Sequence, residues 1–413
     1  MKVGYAILYE DGELIISKTH TVLSKTVYKD YEEFDDEYVP WKYEVSYIKT
    51  IRIYDSIKSN CMKSWFQYCE NLTTLIDFQN LDISTCEDFS SLFSNCNNLM
   101  NINSLQNWNV SNGKDFSWMF ALCNCLKDIN SLQNWNVSNG KNFYGMFAYC
   151  SRLENINSLQ NWNVSNGKDF SLMFYACKCL TDINSLQNWN VSNGINFYKM
   201  FYACERLTDI DSLVNWNVSN GKNFAAMFAH CNCLKDINSL QNWNVSNGKD
   251  FNGMFMSCTS LVNIDGLSNW NVSNGDDFQG MFSRCTSLVN IDELSNWNIS
   301  NGKDFSWMFA YCNCLKNINS LQNWNVSNGI NFYNMFYHCE CLKDINALQN
   351  WNVSNGKDFS SMFAYCEQLK SIQLPITLQN IDKYIFEGCN KDLKIQWKNH
   401  VYTLEDLNTY EQF

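Results

Sequence analysis

The residues best suited to chemistry in this chain are its twenty cysteines. Ten of them form five C-x-C pairs, and two of these pairs, Cys312 with Cys314 and Cys339 with Cys341, are only 27 residues apart. Thiolates at such short spacing are common zinc ligands. A tetrahedral thiolate site requires four sulfurs that converge on one ion, whereas alternate residues of an extended segment point to opposite sides. We therefore expect no metal and no cofactor, with a metal-binding thiol protein as a remote alternative.

Catalytic residues are not indicated by the sequence. Histidine occurs at His20, His230, His338 and His400 only, and no nucleophile elbow, phosphate-binding loop, zinc-protease motif or dinucleotide fingerprint is present. The chain has 30 Lys and Arg against 42 Asp and Glu, a net charge of −12 and no basic run, which disfavours nucleic acid as a ligand. We expect a protein that is not an enzyme.

Carboxylates flank an isoleucine that recurs every 27 residues from Ile102 to Ile345. Asp or Asn stands on both sides of this isoleucine in all ten copies. We expect these residues to form an acidic, amide-rich strip that binds a protein partner; the open alternative is a solvated face without a function. The acidic candidates are Asp128, Asp182, Asp209, Asp211, Asp236, Asp265, Asp292 and Asp344.

These residues belong to a tandem repeat, since twelve cysteines also recur every 27 residues from Cys69 to Cys366. A strict period of this length predicts near-identical units that stack and share one core. Ten tryptophans keep the same interval, and Leu81 replaces tryptophan in the least regular copy, which indicates core rather than a ligand platform. The predicted core tryptophans are Trp108, Trp135, Trp162, Trp189, Trp216, Trp243, Trp270, Trp297, Trp324 and Trp351.

Each copy combines two spacings that predict different secondary structure. The segment 126–132 predicts a short strand with Ile129 facing inward. The stretch 143–150 places Phe, Met, Phe and Cys at i, i+3, i+4 and i+7, which predicts a helix of about two turns. Between them, NWNVSNG contains an Asn-Gly turn pair. Each coil is therefore predicted to be strand, turn and helix, and the fold class to be α/β.

The combination of L-x-x-I-x-x-L, NWNVSN and F-x-x-MF resembles the BspA-like leucine-rich repeat family. A second repeat form typical of that family covers residues 366–389. The resemblance implies a right-handed leucine-rich-repeat solenoid of about twelve coils, with the acidic strip on its concave strand face. It also implies protein-protein interaction, or adhesion to host or matrix proteins.

The two ends of the array require caps, because end coils would otherwise expose strand edges and core. We predict a β-rich cap over residues 1–64, with a hairpin around Asp11-Gly12, a strand at 47–54 and an exposed acidic loop at 29–41. Residues 65–389 form the array, with 27-residue coils and a last coil of 23 residues. Residues 390–413 form a second cap whose closing helix begins after Thr403.

The sequence favours a non-catalytic protein-binding module whose partner and oligomeric state remain open. The alternative is an adhesin on a cell surface or virion. We expect no signal peptide, no membrane insertion and free thiols, which indicate a cytoplasmic protein, with a non-classical route to the surface as the alternative. Ten N-x-S sequons begin at Asn109, and we expect their amides to satisfy backbone groups of a stacked turn that a glycan would disrupt.

Overall fold

The structure is a computed structural model that describes residues 2–36, 38–381 and 383–409. The chain forms two compact units, the first comprising Met1–Gly194 with Ala203–Glu205 and the second Ile195–Tyr202 with Arg206–Phe413. This division falls within the repeat array, so the predicted boundaries at residues 64 and 389 stay predictions. Each unit is a stack of 27-residue coils joined by backbone hydrogen bonds, and each contains one end of the array.

Unit 1 begins with a sheet whose strands are β1 (Lys2–Tyr9), β2 (Glu13–Ser17), β3 (Val27–Asp35), β4 (Thr50–Ile53) and β6 (Thr74–Ile76), in the order β3-β1-β2-β4-β6. The hairpin of β1 and β2 is confirmed, and its turn residue Gly12 has a φ of 88°. The strand predicted at 47–54 is confirmed as β4, which pairs in parallel with β2 and with β6. A two-stranded sheet of β5 (Ile57–Lys58) and β7 (Leu81–Asp82) continues the parallel pairing into the coils.

The prediction of an exposed acidic loop at 29–41 is wrong. Most of that segment lies in β3, which pairs antiparallel with β1, and Tyr31, Phe34 and Trp41 are buried. The prediction failed because Tyr31 and Phe34 are three residues apart, whereas a regular strand repeats its inward face every two. The partners of these two residues are Ala6 and Gly4, so a register shift in the pairing absorbs the extra residue.

The strand predicted in each coil is replaced by a single 3₁₀ turn. In the copy at 126–132, Asp128 forms an isolated bridge to Asn155, and the chain then turns so that the N–H of Leu132 bonds to the carbonyl of Ile129 at 2.9 Å. The turns of the ten copies are Asn103–Leu105, Asn130–Leu132, Asn157–Asn161, Asn184–Leu186, Asp211–Asn215, Asn238–Asn242, Asp265–Leu267, Asp292–Asn296, Asn319–Asn323 and Asn346–Leu348. Two further 3₁₀ turns of unit 1 are Val45–Tyr47 and Phe78–Asn80.

The helix predicted in each coil is also wrong. Every second N–H of the segment 143–150 donates to a carbonyl of the next coil at 2.6–2.9 Å, namely those of Phe143, Gly145, Phe147 and Tyr149. The N–H groups of Met146 and Cys150 bond three residues back within the coil, at 3.2 Å each. An α-helix instead requires bonds four residues back along the whole segment. The segment is therefore two consecutive four-residue turns that also join neighbouring coils.

These paired turns impose an unusual backbone geometry on every coil. The third and seventh residues of F-x-x-M-F-x-x-C have positive φ in all ten copies, as at Ala226 (51°) and His230 (60°) of one coil. Such left-handed residues are ordinarily glycine or asparagine, because a Cβ atom is disfavoured there. Glycine fills only three of these twenty positions, namely Gly145, Gly253 and Gly280.

Unit 2 ends in a cap built from a 3₁₀ turn (Lys383–Phe386), strands β8 (Ser371–Gln373), β9 (Lys394–Trp397) and β10 (His400–Tyr402), and helix α1 (Leu404–Thr409). Strand β9 pairs in parallel with β8 and antiparallel with β10. The predicted closing helix is confirmed as α1, and the Thr403 hydroxyl accepts the N–H of Asp406 at 3.2 Å as an N-cap. Its predicted extension over 410–413 lies outside the described residues.

The observed fold is thus an array of stacked 27-residue coils that contain turns and bridges instead of the predicted strands and helices. The right-handed winding stays a prediction.

Candidate binding surfaces

The ten repeat tryptophans lie in the interior, at 2–5% exposure. In unit 2 the rings of Trp243 and Trp270 stack with centroids 6.3 Å apart and planes 3° from parallel. The indole N–H of Trp243 donates to the carbonyl of Leu213 at 2.9 Å, and that of Trp270 to Leu240. A buried indole needs such a partner. Each ring therefore joins coils through both its face and its N–H.

The twelve repeat cysteines are buried, and each thiol from Cys96 to Cys366 donates to a phenylalanine carbonyl thirty residues earlier at 3.1–3.3 Å. Burial raises the pKa of Cys150 and Cys258 to about 12, which keeps these thiols protonated. A second group of five cysteines stands two residues after repeat cysteines, and its members are exposed at Cys233 and Cys314 and half-buried at Cys125, Cys179 and Cys341. All twenty cysteines are described, and none is in a disulfide.

The two C-x-C pairs do not form a metal site. The thiols of Cys312 and Cys339 point into the interior and bond the carbonyls of Phe282 and Phe309. In the described part of the chain, no three His, Cys, Asp or Glu side chains are grouped so that they could hold a metal ion.

The aspartates that precede the repeated isoleucine each accept a backbone hydrogen bond. Asp128 Oδ1 accepts the N–H of Asn130 at 3.2 Å, and Asp344 Oδ1 accepts that of Asn346 at 2.7 Å. The same bond forms at Asp182, Asp209 and Asp236, where Oδ1 accepts at 3.3, 3.5 and 3.4 Å. An amide oxygen can accept this bond as well as a carboxylate can, which explains why Asp and Asn alternate at this position.

The aspartates that follow the isoleucine are the first residues of the 3₁₀ turns. Asp211, Asp265 and Asp292 are exposed, and the 3₁₀ turns of adjacent coils contact one another within each unit. Beside two of them lies Glu293, whose pKa is raised by burial and by the neighbouring carboxylates of Asp265 and Asp292. The eight aspartates predicted from the sequence are all exposed or half-exposed, and together they are termed the acidic strip.

The asparagines of the repeated NWNVSN segment have divided roles. The sequon residue Asn109 is exposed, and its Oδ1 accepts the N–H of Ser111 within its own coil at 3.2 Å. The bond between coils comes from Asn112, whose Nδ2 donates to the carbonyl of Ser84 at 2.6 Å. The prediction that the sequon asparagines satisfy backbone groups is confirmed, but the residue that joins the coils is the asparagine three positions later.

A second acidic series was missed by the sequence analysis. The residue before the first phenylalanine of F-x-x-M-F-x-x-C is Asp or Asn, and parallel bridges join neighbouring copies, as between Asp250 and Asp277 and between Asp277 and Asp304. Asn331 breaks the series by donating from Nδ2 to Asp304 Oδ2 at 3.0 Å. Burial and the neighbouring carboxylates raise the pKa of Asp250 and Asp277. The signal for this series was its own 27-residue period.

A cluster of half-exposed aromatic rings was also missed. It occupies the variable positions of F-x-x-M-F-x-x-C in unit 2 and includes His338, which stacks between Tyr311 and Tyr365. Nothing in the sequence had indicated a role for this histidine. A search for residues that recur every 27 positions finds the constant ones. It overlooked these rings because the residue type at their positions differs from copy to copy.

None of the helices in the described part of the chain has the length and hydrophobicity needed to span a lipid bilayer.

Three solved structures are similar to this chain at low sequence identity. A crystal structure of a leucine-rich repeat protein from Bacteroides ovatus is 14% identical, with a TM-score of 0.44 over 96% of this chain and 98% of that one. A leucine-rich repeat protein from Eubacterium ventriosum is 14% identical, with a TM-score of 0.36 over 97% of each chain. A leucine rich cell surface protein from Faecalibacterium prausnitzii is 14% identical, with a TM-score of 0.28 over 96% and 93%.

No curated protein sequence matches the chain. One family model matches most of it, in overlapping segments at residues 60–185, 103–211, 150–263, 180–290, 222–346 and 289–391. The chain therefore belongs to the family described as Mycoplasma protein of unknown function, DUF285.

Proposed function

We propose that the protein is a non-catalytic repeat module that binds a basic protein partner through the acidic strip. The observation that supports this most directly is the exposure of the strip residues, which lie in or next to the short 3₁₀ turns of stacked coils. Asp211 and Asp236 are exposed, while Leu213 and Leu240 of the same coils are fully buried. A rigid backbone lowers the entropic cost of binding because few groups have to become ordered.

Charge supports a basic partner. The carboxylates of Asp209 and Asp211 in one coil lie close in sequence, and the next coil of unit 2 contributes Asp236. Like charges on adjacent chain segments repel one another. A partner that presents lysine or arginine relieves this repulsion, and the attraction must weaken as salt is added.

The proposal includes two further features of the array. It has the right-handed winding typical of leucine-rich repeats, and residues 1–64 and 390–413 act as caps on the array at 65–389. Support for the caps comes from the strand pairing: parallel strands β4 and β8 are continued outward by the antiparallel hairpins β1-β2 and β9-β10. An antiparallel hairpin ends a parallel ladder without continuing the coil.

A peptide library tests the function. Random peptides displayed on phage are selected on the purified protein, and the Kd of the enriched peptides is measured by fluorescence anisotropy. We expect peptides rich in Lys and Arg. The triple variant Asp209→Asn, Asp211→Asn, Asp236→Asn should weaken them about tenfold, since exposed charge pairs contribute up to about 1 kcal/mol each. Asparagine occurs at the equivalent positions of other copies, so the fold should be preserved.

The matched control removes the same charge elsewhere in unit 2, by Asp250→Asn, Asp277→Asn, Asp304→Asn. These carboxylates are half-buried and outside the strip. We expect this variant to bind the selected peptides nearly as well as the parent. Equal weakening by both triple variants would reduce the binding to general charge attraction, and failure to enrich any basic peptide would contradict the proposed function.

A further inference from the structure

The copies of the repeat are nearly identical in their interior and differ at a defined set of positions. The segments NWNVSNG and the Phe, Met, Phe and Cys of F-x-x-M-F-x-x-C recur almost unchanged, whereas the other four residues of the latter segment vary in size, charge and polarity. The third residue, for example, is Trp118, Lys199, Ala226, Trp307 or Asn334. The variation at these positions indicates that the stacking of the coils does not restrict them to one residue type.

The third and seventh of these residues have positive φ in every copy. Glycine is the residue that this backbone favours, and each other side chain costs about 1–2 kcal/mol in the left-handed region. Even so, seventeen of the twenty positions hold a residue other than glycine, including Trp307 (61°), Tyr311 (60°) and His338 (57°). Side chains kept at strained positions are a feature of functional surfaces.

A group of six ring-bearing side chains at the variable positions, four of them at positive φ, lies in unit 2. We name it the aromatic shelf, and it consists of Trp307, Tyr311, Tyr333, Tyr337, His338 and Tyr365. All six rings are half-exposed. They come from three adjacent coils, and each ring contacts at least one other with centroids 4.5–5.9 Å apart.

Three rings of the shelf form a closed stack. Tyr311, His338 and Tyr365 are within 10° of parallel, at centroid distances of 5.1 and 4.5 Å. Arg284 covers Tyr311 at one end, with its guanidinium carbon 4.5 Å from the centroid. At the other end Tyr365 packs on Gly388, where a Cβ atom would lie 2.4 Å from the ring. The outer faces of this stack are therefore already covered.

The remaining rings meet at steep angles, so no other ring of the shelf stacks in parallel on their faces. Tyr337 is tilted 59° from Trp307 and about perpendicular to Tyr311 and Tyr365, and Tyr333 is 79° from Trp307. The negative face of an aromatic ring attracts a cation, and tryptophan does so most strongly.

The charges around the shelf also favour a cation. Glu340 lies 3.5 Å from the ring nitrogen of His338, and Glu387 accepts a hydrogen bond from the Tyr365 hydroxyl at 3.4 Å. The chain itself places cations over tyrosines at the same variable positions, since Arg284 covers Tyr311 and Lys199 lies 5.1 Å from the ring centroid of Tyr202.

We propose that the aromatic shelf binds an arginine-bearing segment of a partner protein, with a guanidinium group on the rings of Trp307 and Tyr337. Arginine is favoured over lysine because its planar, weakly hydrated guanidinium stacks on aromatic rings. This inference goes beyond the proposed function, because it assigns a second surface that uses none of the strip aspartates.

The test uses substitutions that the chain already contains. In the double variant Trp307→Gly, Tyr337→Ala, each new residue is found at the same position of other copies, namely Gly280 and Ala310. The net charge does not change, so general electrostatic attraction is preserved. The matched control Trp118→Gly, Tyr175→Ala makes the same two substitutions at the same repeat positions in unit 1. Melting curves of both variants verify folding.

The probes are two short fluorescein-labelled peptides, one in which arginine alternates with serine and one in which lysine replaces the arginine. We expect the parent protein to bind the arginine peptide more tightly. The shelf variant should bind it about tenfold more weakly and lose the preference for arginine, because ring faces contribute about 1–2 kcal/mol to a desolvated cation. The control variant should keep both the affinity and the preference.

Three outcomes overturn the shelf proposal: no binding by the parent, unchanged binding by the shelf variant, or equal loss in the control. The triple variant of the acidic strip separates this result from the proposed function. An arginine preference that is lost in the strip variant and kept in the shelf variant overturns the shelf and leaves the proposed function standing.

Discussion

The interior positions of each coil keep one residue type from copy to copy, whereas the left-handed positions vary. At the interior position of Trp243 the residue is tryptophan in all ten copies, and its ring and N–H both join neighbouring coils. At the surface position of Trp307 the residue is tryptophan in two copies and glycine in three. The same residue type is therefore required in one place and interchangeable in the other.

This difference shows that the same stacked backbone can hold a constant interior and also carry variable side chains. Hydrogen bonds between coils fix the backbone of F-x-x-M-F-x-x-C whatever residues occupy its variable positions, because those bonds use only main-chain groups. Side chains at the variable positions can then change without loss of the fold. Repeat proteins have nearly additive coil stabilities, so a change in one coil also leaves distant coils unaffected.

The largest expected effect follows from breaking the interior. Trp243→Ala removes the stacking with Trp216 and Trp270 and the bond to Leu213, and leaves a cavity. We expect a loss of about 3–5 kcal/mol in the free energy of unfolding, measured by denaturant titration. A variant as stable as the parent would show that the tryptophans do not join the coils.

A smaller loss is expected from the buried thiols. Cys258→Ala removes the thiol that donates to the carbonyl of Phe228 at 3.2 Å and leaves a small cavity, at a cost of about 1–2 kcal/mol. The exposed thiol of Cys233 in the same coil is the control, and Cys233→Ala should leave the unfolding free energy unchanged. Equal effects of the two substitutions would contradict the difference between interior and surface.

Two alanines of one coil sharpen the comparison at the backbone. Both alanines are buried, Ala226 at 6% exposure and Ala229 completely, but only Ala226 has a positive φ, of 51°. Ala229→Gly should destabilise by about 1 kcal/mol, since it loses a buried methyl and adds chain entropy. Ala226→Gly should be neutral or stabilise by up to about 1 kcal/mol, because relief of strain exceeds the entropy cost. Thermal melts distinguish the two, and an equal loss for both would refute the strain.

The half-buried carboxylates give a smaller effect that depends on pH. Asp277 lies between Asp250 and Asp304, which both carry like charge, so Asp277→Asn should stabilise by roughly 0.5 kcal/mol at neutral pH. The pKa of Asp277 is raised in the folded state by burial and by Asp304. Its stabilising contribution is therefore complete below the unfolded pKa of about 3.9 and is lost as pH rises through the folded pKa.

Denaturant titrations across this pH range provide the measurement. The advantage of Asp277→Asn over the parent should grow as pH rises from about 4 towards neutrality. Asp358→Asn is the control, because the neighbour of Asp358 in the preceding coil is Asn331 rather than a carboxylate. An advantage of Asp277→Asn that shrinks with rising pH would contradict the assigned shift.

The sequence predicted the interior because a 27-residue period marks which residues must match between copies. It could not predict the backbone of F-x-x-M-F-x-x-C. The spacing of Phe143, Met146, Phe147 and Cys150 suits a helix, but two consecutive four-residue turns have the same spacing. Residue type did not indicate the positive φ angles either. Glycine ordinarily marks left-handed positions, and most of these positions hold other residues.

The acidic strip shows a similar limit. The sequence identified Asp128 and Asp344 by their period, and the structure adds that each accepts a backbone N–H two residues later. This bond depends on the chain turning after Ile129 and Ile345, which alternation of polar and apolar residues does not predict. The aromatic shelf was missed for the reverse reason, since the residue type at its positions changes from copy to copy.

The difference between the interior and the left-handed positions can be measured by comparing Trp307→Gly with Trp243→Ala in the full chain. Both remove an indole ring, one at a left-handed surface position and one in the interior. The account predicts that Trp307→Gly leaves the unfolding free energy within about 1 kcal/mol of the parent, while Trp243→Ala lowers it by about 3–5 kcal/mol. Equal losses for the two variants would contradict it.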